Sequence, residues 1–146
     1  MSPGASSFEV QTETAWSPTV EMWDTILEKY PGVLSVFVAE EPGCDYYINT
    51  DENRRFYDYS YRVDMGYEGY IENKALSKIG LGERFFNKCI DVCECLSTKE
   101  VLDFYSNLVG REFISMEHLE GFYSVLSDVS DDSYYFGLHK YEPYYN

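Results

Sequence analysis

Cys89, Cys93 and Cys95 lie within seven residues and are the side chains of this sequence best suited to metal or redox chemistry. A zinc site would need a fourth ligand such as His118 or His139. Zinc sites usually take cysteines as Cys-x2-Cys pairs on turns, whereas the apolar spacing around these three predicts a helix, a poor frame for tetrahedral ligation. We therefore predict buried free thiols, no metal site and no cofactor.

A nucleophile paired with a base is the second chemistry to consider. His118 has Ser115 close to it in sequence, but Ser115 precedes an apolar-periodic stretch and fits a helix cap. Ser97 and Glu100 have the spacing of a capping box. The glycines of Gly80-Leu81-Gly82 lack the third glycine and the lysine of a phosphate loop. Because no motif places a nucleophile beside a base, we predict that the protein is not an enzyme.

Net charge limits the partners. The 146 residues contain 26 acidic and 11 basic side chains, and the formal charge of -15 excludes direct binding of nucleic acid or anionic lipid through a basic groove. Residues 1–53 hold ten acids and one base, residues 54–111 hold nine of each, and residues 112–146 hold seven acids and one base. The acidity would therefore form one surface if the two ends fold together.

Patterns in the first 65 residues predict the order β-α-β-β-β. Alternation of apolar and polar residues indicates strands, and a Ser-Pro pair followed by an apolar stripe indicates a helix. The predicted elements are a strand over Phe8–Thr14, a helix from Ser17-Pro18 to Pro31-Gly32, a central strand over Leu34–Ala39, a turn at Pro42-Gly43, a hairpin strand over Tyr46–Asn49, and a strand over Tyr57–Val63.

Helical spacing predominates in the second half. We predict one domain over 8–146 of the α+β class, with a ferredoxin-like part at 8–65, a mainly helical part at 66–146 and a flexible leader at 1–7. The aromatic end, Tyr141–Asn146, either docks or frays. The predicted elements are a helix through Phe85–Leu96, a helix from the cap Ser97 to Gly110, a helix from Ser115, and a closing strand over Tyr134–Leu138.

Short signals in the first half also resemble a known family. They are Phe8-Glu-Val-Gln-Thr-Glu-Thr-Ala-Trp16-Ser17-Pro18, Tyr30-Pro31 and Glu40-Glu41-Pro42-Gly43, in this order. Residues 8–65 resemble the YubB ferredoxin-like domain family of plasmid and phage proteins, in which T-x-W-S-P-P ends a strand, Y/F-P ends a helix and E-P-G forms a hairpin. The resemblance implies a ferredoxin-like fold and residence on a mobile genetic element. That family has no assigned reaction, so no catalytic residues are implied.

Charge and resemblance together predict an inhibitor of anti-CRISPR or antirestriction type, whose acidic face occupies a basic nucleic-acid-binding groove on a host defence complex. Three alternatives remain. The acidity could serve only solubility, the protein could be an oligomerising accessory protein with a tyrosine-rich sheet face, or it could be an enzyme of unrecognised type. Without a membrane-spanning apolar run or a signal-peptide pattern, the cytoplasm is expected. The predicted partner contacts are Glu21, Asp24, Glu28, Glu40, Glu41, Asp45, Asp51, Glu52, Asp128, Asp131 and Asp132.

Overall fold

The computed structural model describes residues 6–13, 18–67, 92–129 and 134–144, and it has the predicted α+β character. The predictions for Ser17, for Cys89 with its apolar neighbours, and for Asp131 and Asp132 lie outside these residues. None of the described helices is long and apolar enough to cross a membrane. The elements are helices α1 (Val20–Leu27), α2 (Thr98–Val109) and α3 (Met116–Val129), and strands β1 (Val38–Glu41), β2 (Tyr46–Asn49), β3 (Tyr61–Tyr67), β4 (Val92–Leu96) and β5 (Tyr134–Lys140).

An antiparallel sheet of three strands has β3 at its centre, between β4 and β5. Successive side chains of a strand point to opposite faces. Tyr61, Val63 and Met65 therefore share one face, where they are buried. Arg62 and Asp64 lie on the other face. The predicted alternation of this strand is confirmed, although β3 begins four residues later than expected.

Helices α2 and α3 cover the apolar face of the sheet. Val101, Tyr105 and Leu108 of α2 and Leu119 and Leu126 of α3 are buried with the apolar residues of β3 in one core. The predicted capping box is confirmed, since the Ser97 hydroxyl accepts a hydrogen bond from the Glu100 amide and the Glu100 carboxylate accepts one from the Ser97 amide. Gly110 ends α2 with φ of 74°, as a C-cap glycine does.

The hairpin of β1 and β2 forms a separate two-stranded sheet. Its turn is the predicted Pro42-Gly43 segment, and Asp45 completes it with φ of 52°. The chain after β5 ties this hairpin to the larger sheet: the Asn49 amide donates to the Glu142 carbonyl at 3.0 Å and the Tyr141 amide to the Ser60 carbonyl at 3.0 Å. The first residues of the aromatic segment Tyr141–Asn146 therefore bond to the folded domain.

Several predictions for the first half are wrong. Residues 8–13 form no strand, and Phe8 is 86% exposed. The predicted central strand is displaced toward the hairpin, so that Leu34 is 95% exposed. Helix α1 begins at Val20, two residues after Pro18, and ends at Leu27, before Pro31-Gly32. The described strands form sheets of two and three strands rather than one, so the ferredoxin-like order is not confirmed.

The helix predicted through Cys93 and Cys95 is also wrong, because β4 pairs there with β3 over five register positions. The prediction of buried thiols is wrong for Cys93, which is exposed on the outer face of this strand, while Cys95 is half-buried. Val92 and Leu96 are four residues apart, a spacing that places two side chains on one face of a helix and equally on one face of a strand. Both pack against the core from β4. Strand pairing therefore decides between two structures that the apolar pattern permits.

Ser97→Ala removes one hydrogen bond of the capping box, and we expect it to lower the free energy of unfolding by about 1 kcal/mol. Urea unfolding followed by circular dichroism measures the loss. Thr98→Ala is the matched control, because Thr98 is the exposed first residue of α2 and makes no capping bond. Equal unfolding midpoints for Ser97→Ala and the unsubstituted protein would contradict a stabilising cap.

Candidate functional site

The outer face of the three-stranded sheet carries a polar cluster centred on Arg62. Strand register places Cys95 beside Arg62 on β4 and His139 beside it on β5. The same register places Cys93 beside Asp64. Residues from three strands that are far apart in sequence therefore meet on one face.

The guanidinium of Arg62 is bonded through all three of its nitrogens. Nε donates to Asp64 Oδ1 at 3.0 Å, and Nη1 donates to Glu40 Oε2 of the hairpin at 2.6 Å. Nη2 donates to the Cys93 sulfur at 2.7 Å. The Arg62 side chain is 18% exposed. The guanidinium is thus a bridge inside the molecule rather than a free cation on its surface.

Glu40 joins this cluster to the end of the chain. Its Oε1 accepts a hydrogen bond from the Tyr141 hydroxyl and contacts the Cys95 sulfur at 3.4 Å. That sulfur is also 3.2 Å from the Tyr141 hydroxyl oxygen. The hairpin, the sheet and the terminal segment therefore meet through these side chains. We call this group the Arg62 cluster; its members are Glu40, Arg62, Asp64, Cys93, Cys95 and Tyr141.

The pKa shifts in the Arg62 cluster keep the guanidinium charged and the two thiols protonated. Burial disfavours the charge of Arg62, but Asp64 and Glu40 outweigh it and raise the pKa of the guanidinium. Burial, together with the nearby carboxylates, raises the pKa of both the Cys93 and the Cys95 thiols. A thiol with a raised pKa is mostly protonated at neutral pH and is a poor nucleophile. The geometry therefore supports a structural junction.

A shallow cleft of about 510 Å³ lies beside the cluster, between the hairpin turn and β5. The His139 ring stacks on Tyr47 with centroids 4.4 Å apart, and its Nδ1 lies 2.8 Å from Asp45 Oδ1. A Cβ on Gly137 would lie 2.8 Å from His139 Nε2 and 3.2 Å from the backbone carbonyl oxygen of Asp64, so a larger residue there would displace the His139 ring. Arg62 lines this cleft, but its guanidinium already bonds to Glu40, Asp64 and Cys93. A ligand in the cleft would therefore have to compete with these partners for the arginine.

The other candidates for chemistry have structural roles. Ser97 and Ser115 both accept backbone amide hydrogen bonds at the starts of helices, from Glu100 and from His118. Both are caps, as predicted. Across residues 6–13, 18–67, 92–129 and 134–144, no three His, Cys, Asp or Glu side chains are grouped in a way that could hold a metal ion.

The predicted partner contacts separate into exposed and engaged carboxylates. Glu40 belongs to the Arg62 cluster, so its charge is already neutralised by Arg62. Glu41 is half-buried. Asp45 is exposed but paired with His139. Of the predicted contacts, those that are exposed and have no ion pair to a described Lys, Arg or His are Glu21, Asp24, Glu28, Glu52 and Asp128.

Asp51 is 3% exposed, which corrects its prediction as a partner contact. Its Oδ2 accepts hydrogen bonds from the backbone amides of Phe56 at 2.6 Å and Tyr57 at 3.0 Å. Burial opposes ionisation, but these amides, a further one from Arg55 and the charge of Arg54 outweigh burial and lower the pKa of Asp51. A carboxylate suits this loop because its negative charge strengthens the hydrogen bonds from several backbone amides that point at it.

Sequence patterns did not identify the Arg62 cluster. Arg62 was visible as a polar residue on the second face of the strand predicted over Tyr57–Val63, and Asp64 lies just beyond the predicted end. Glu40, Cys93 and Cys95 were singled out separately, with no signal that joined them to Arg62. Cys95 and Tyr141 become neighbours only through strand pairing across 46 residues of sequence.

Comparisons with known proteins provide no assignment for this site. No family model matches the chain, and neither a curated protein nor a solved structure matches it at a significant level.

Arg62→Met leaves the carboxylates of Glu40 and Asp64 without their cation, and we expect it to lower the free energy of unfolding by about 2–3 kcal/mol. Denaturant unfolding measures this loss. Lys99→Met is the matched control, since Lys99 pairs with Asp103 on the exposed face of α2 and its removal should change stability little. Similar effects of the two substitutions would mean that the Arg62 cluster adds no more than a surface pair.

Asp51→Asn tests the buried loop carboxylate through its pH dependence. We expect a loss of about 1–2 kcal/mol at neutral pH, because an amide oxygen accepts the loop amides more weakly than a carboxylate. The native pKa lies below the unfolded value of 3.8, so the stabilisation is complete above pH 3.8 and is lost as pH falls through the lower native pKa.

Denaturation of Asp51→Asn and the unsubstituted protein at neutral pH and at several pH values below 3.8 should therefore give converging stabilities. Glu52→Gln, at the exposed neighbouring position, serves as the control. A difference that stays constant into strong acid would show that Asp51 does not act through its charge.

Proposed function

We propose that this protein is an acidic inhibitor, encoded by a phage or plasmid, that occupies the basic nucleic-acid-binding surface of a host defence complex of CRISPR or restriction type. The observation that carries the proposal is a set of exposed carboxylates without cationic partners on α1 and beyond β2. Glu21, Asp24, Glu28 and Glu52 belong to it.

The distribution of cations supports this proposal. Residues 1–53 contain one basic side chain, Lys29, against ten acids. The Arg62 guanidinium is paired with Glu40 and Asp64, so it does not offset the exposed carboxylates. An unneutralised negative surface attracts a basic groove and accelerates encounter with it.

The biological setting is part of the same proposal. The YubB resemblance suggests a ferredoxin-like relationship for residues 8–65 and an origin on a mobile genetic element. A cytoplasmic location follows for a protein that meets host nucleases. It also suits the thiols of Cys93 and Cys95, which contact Arg62 and would lose these contacts on forming disulfides.

Self-association through a tyrosine-rich sheet face is less well supported. Tyr61 is buried in the core between the sheet and the helices. Tyr57 and Tyr59 precede β3 and are half-buried, and Tyr59 contacts Tyr141 with ring centroids 6.4 Å apart. These rings therefore pack within the molecule and do not form an open face for a second copy.

The proposal is tested by displacement of labelled DNA from a purified CRISPR effector and from a purified restriction endonuclease. We expect the protein to displace DNA from at least one of them, with weaker binding as salt rises, since exposed charges are screened. Failure to displace DNA from either enzyme, or displacement that is indifferent to salt, would overturn the proposal.

A variant in which three carboxylates are neutralised, by Glu21→Gln, Asp24→Asn and Glu28→Gln, should inhibit about tenfold more weakly, if each exposed charge contributes about 0.5 kcal/mol to binding. The matched control neutralises three exposed carboxylates elsewhere, with Glu112→Gln, Glu117→Gln and Glu120→Gln. Equal losses for the two variants would mean that net charge alone, and not the acidity of α1, drives binding.

A further inference from the structure

A cleft of about 690 Å³ lies between the loop that follows α2 and a solvent-facing side of α3. His118, Phe122 and Val125 of α3 line it, and because they are separated by four and three residues they share one face of the helix. Arg111 of the loop also lines it. The volume is in the range of small-ligand sites, which combine apolar walls with a few polar groups.

Arg111 packs on aromatic rings rather than pairing with a carboxylate of the described residues. Its guanidinium carbon lies 5.0 Å from the ring centroid of Phe113 and 5.2 Å from that of Phe122, within the range of cation–π attraction. No ion pair within the described residues includes Arg111, although Glu117 lines the same cleft. The rings thus position the guanidinium while its N–H groups remain available, within that part of the chain, to a ligand.

Gly121 lines the cleft from the interior of α3, where glycine is among the least favourable residues for a helix. A Cβ built on Gly121 would meet no atom of the described residues within 4 Å. Packing in the described part of the chain therefore does not call for glycine here. The missing side chain instead opens the cleft down to the helix backbone, as is found where a ligand approaches the main chain closely.

Charge and shape select the class of ligand. The planar fork of an arginine matches the two oxygens of a carboxylate. Glu117 lines the cleft and the chain carries a formal charge of -15, so a phosphate or a polyanion is repelled more strongly than a single carboxylate. Phe122 and Val125 add apolar surface to the same cleft. These properties fit a molecule with one carboxylate and an apolar body.

We infer that the cleft beside α3 binds a small organic monocarboxylate with an aromatic or branched apolar body. The carboxylate pairs with the guanidinium of Arg111, and the apolar body lies against Gly121 and Phe122. This site goes beyond the proposed function, because it uses a different part of the molecule from the acidic residues of α1 and takes a ligand of opposite charge to a basic groove.

Titration of the isotope-labelled full chain with phenylacetate, followed by nuclear magnetic resonance, tests the site. We expect saturable shifts of the backbone amides of His118, Gly121 and Phe122 at millimolar concentrations, as suits a ligand of so few atoms. Phenylacetamide has the same ring without the charge and should bind about tenfold more weakly, because charge-assisted hydrogen bonds are the stronger ones.

Two substitutions localise the binding. Gly121→Leu fills the cleft with a residue that favours helix, and Arg111→Gln removes the cation, so each should weaken phenylacetate binding about tenfold. Arg111→Lys keeps the charge without the fork and should restore part of the loss. Asn107→Leu and Arg55→Gln are the matched controls, at exposed positions that do not line the cleft, and should leave binding unchanged.

Gly121→Ala checks the role of glycine separately. The described structure has room for the methyl group, so the folding equilibrium constant should rise about threefold, measured by denaturant unfolding. A fall would show that packing requires the glycine and would overturn the inference.

Four binding results would also overturn the inference. They are shifts that do not saturate, equal binding of phenylacetamide, binding unchanged by Gly121→Leu, and an Arg111→Gln variant that loses stability while binding as before. The last would assign Arg111 to packing on Phe113 and Phe122 alone. Inorganic phosphate that competes as well as phenylacetate would indicate an anion site without an apolar part, which contradicts the inferred ligand.

Discussion

The ion pair between Arg62 and Glu40 is the interaction on which the assembly of the first half depends. Arg62 belongs to the central strand of the larger sheet, and Glu40 belongs to the hairpin. Tyr141, which follows the last strand, donates to the same Glu40 carboxylate. One guanidinium and one carboxylate thus connect three segments that are remote in sequence.

The Arg62–Glu40 pair affects stability more than a surface ion pair does because it is partly buried. Both side chains are largely shielded from water, at 18% and 24% exposure, so the guanidinium and carboxylate each require a partner. Asp64 supplies the second counter-charge and the sulfur of Cys93 takes the remaining nitrogen. Each nitrogen of the guanidinium therefore has an acceptor within the molecule.

The exterior of α1 differs from the rest of the described surface in two respects. It carries exposed carboxylates on one flank and the exposed side chains of Met22 and Ile26 on another, and it lacks the capping box that stabilises α2.

Local signals were predicted best. The Ser97–Glu100 capping box, the glycine at the end of α2, the Pro42-Gly43 turn and the β2 strand all depend on residues a few positions apart, and each is confirmed. The strand expected at Phe8–Thr14 depends on a neighbour to pair with, and alternation alone does not supply one.

The sequence by itself determined the acidic composition, the alternation that separates Val63 from Arg62, and the turns and caps. Only the tertiary structure decided that Cys93 and Cys95 lie on a strand, that Glu40 and Asp51 are engaged inside the molecule, and that α1 carries exposed apolar side chains. The physical reason is the same in each case. Burial and strand register depend on contacts between segments tens of residues apart, and a local pattern does not specify which segment will be the neighbour.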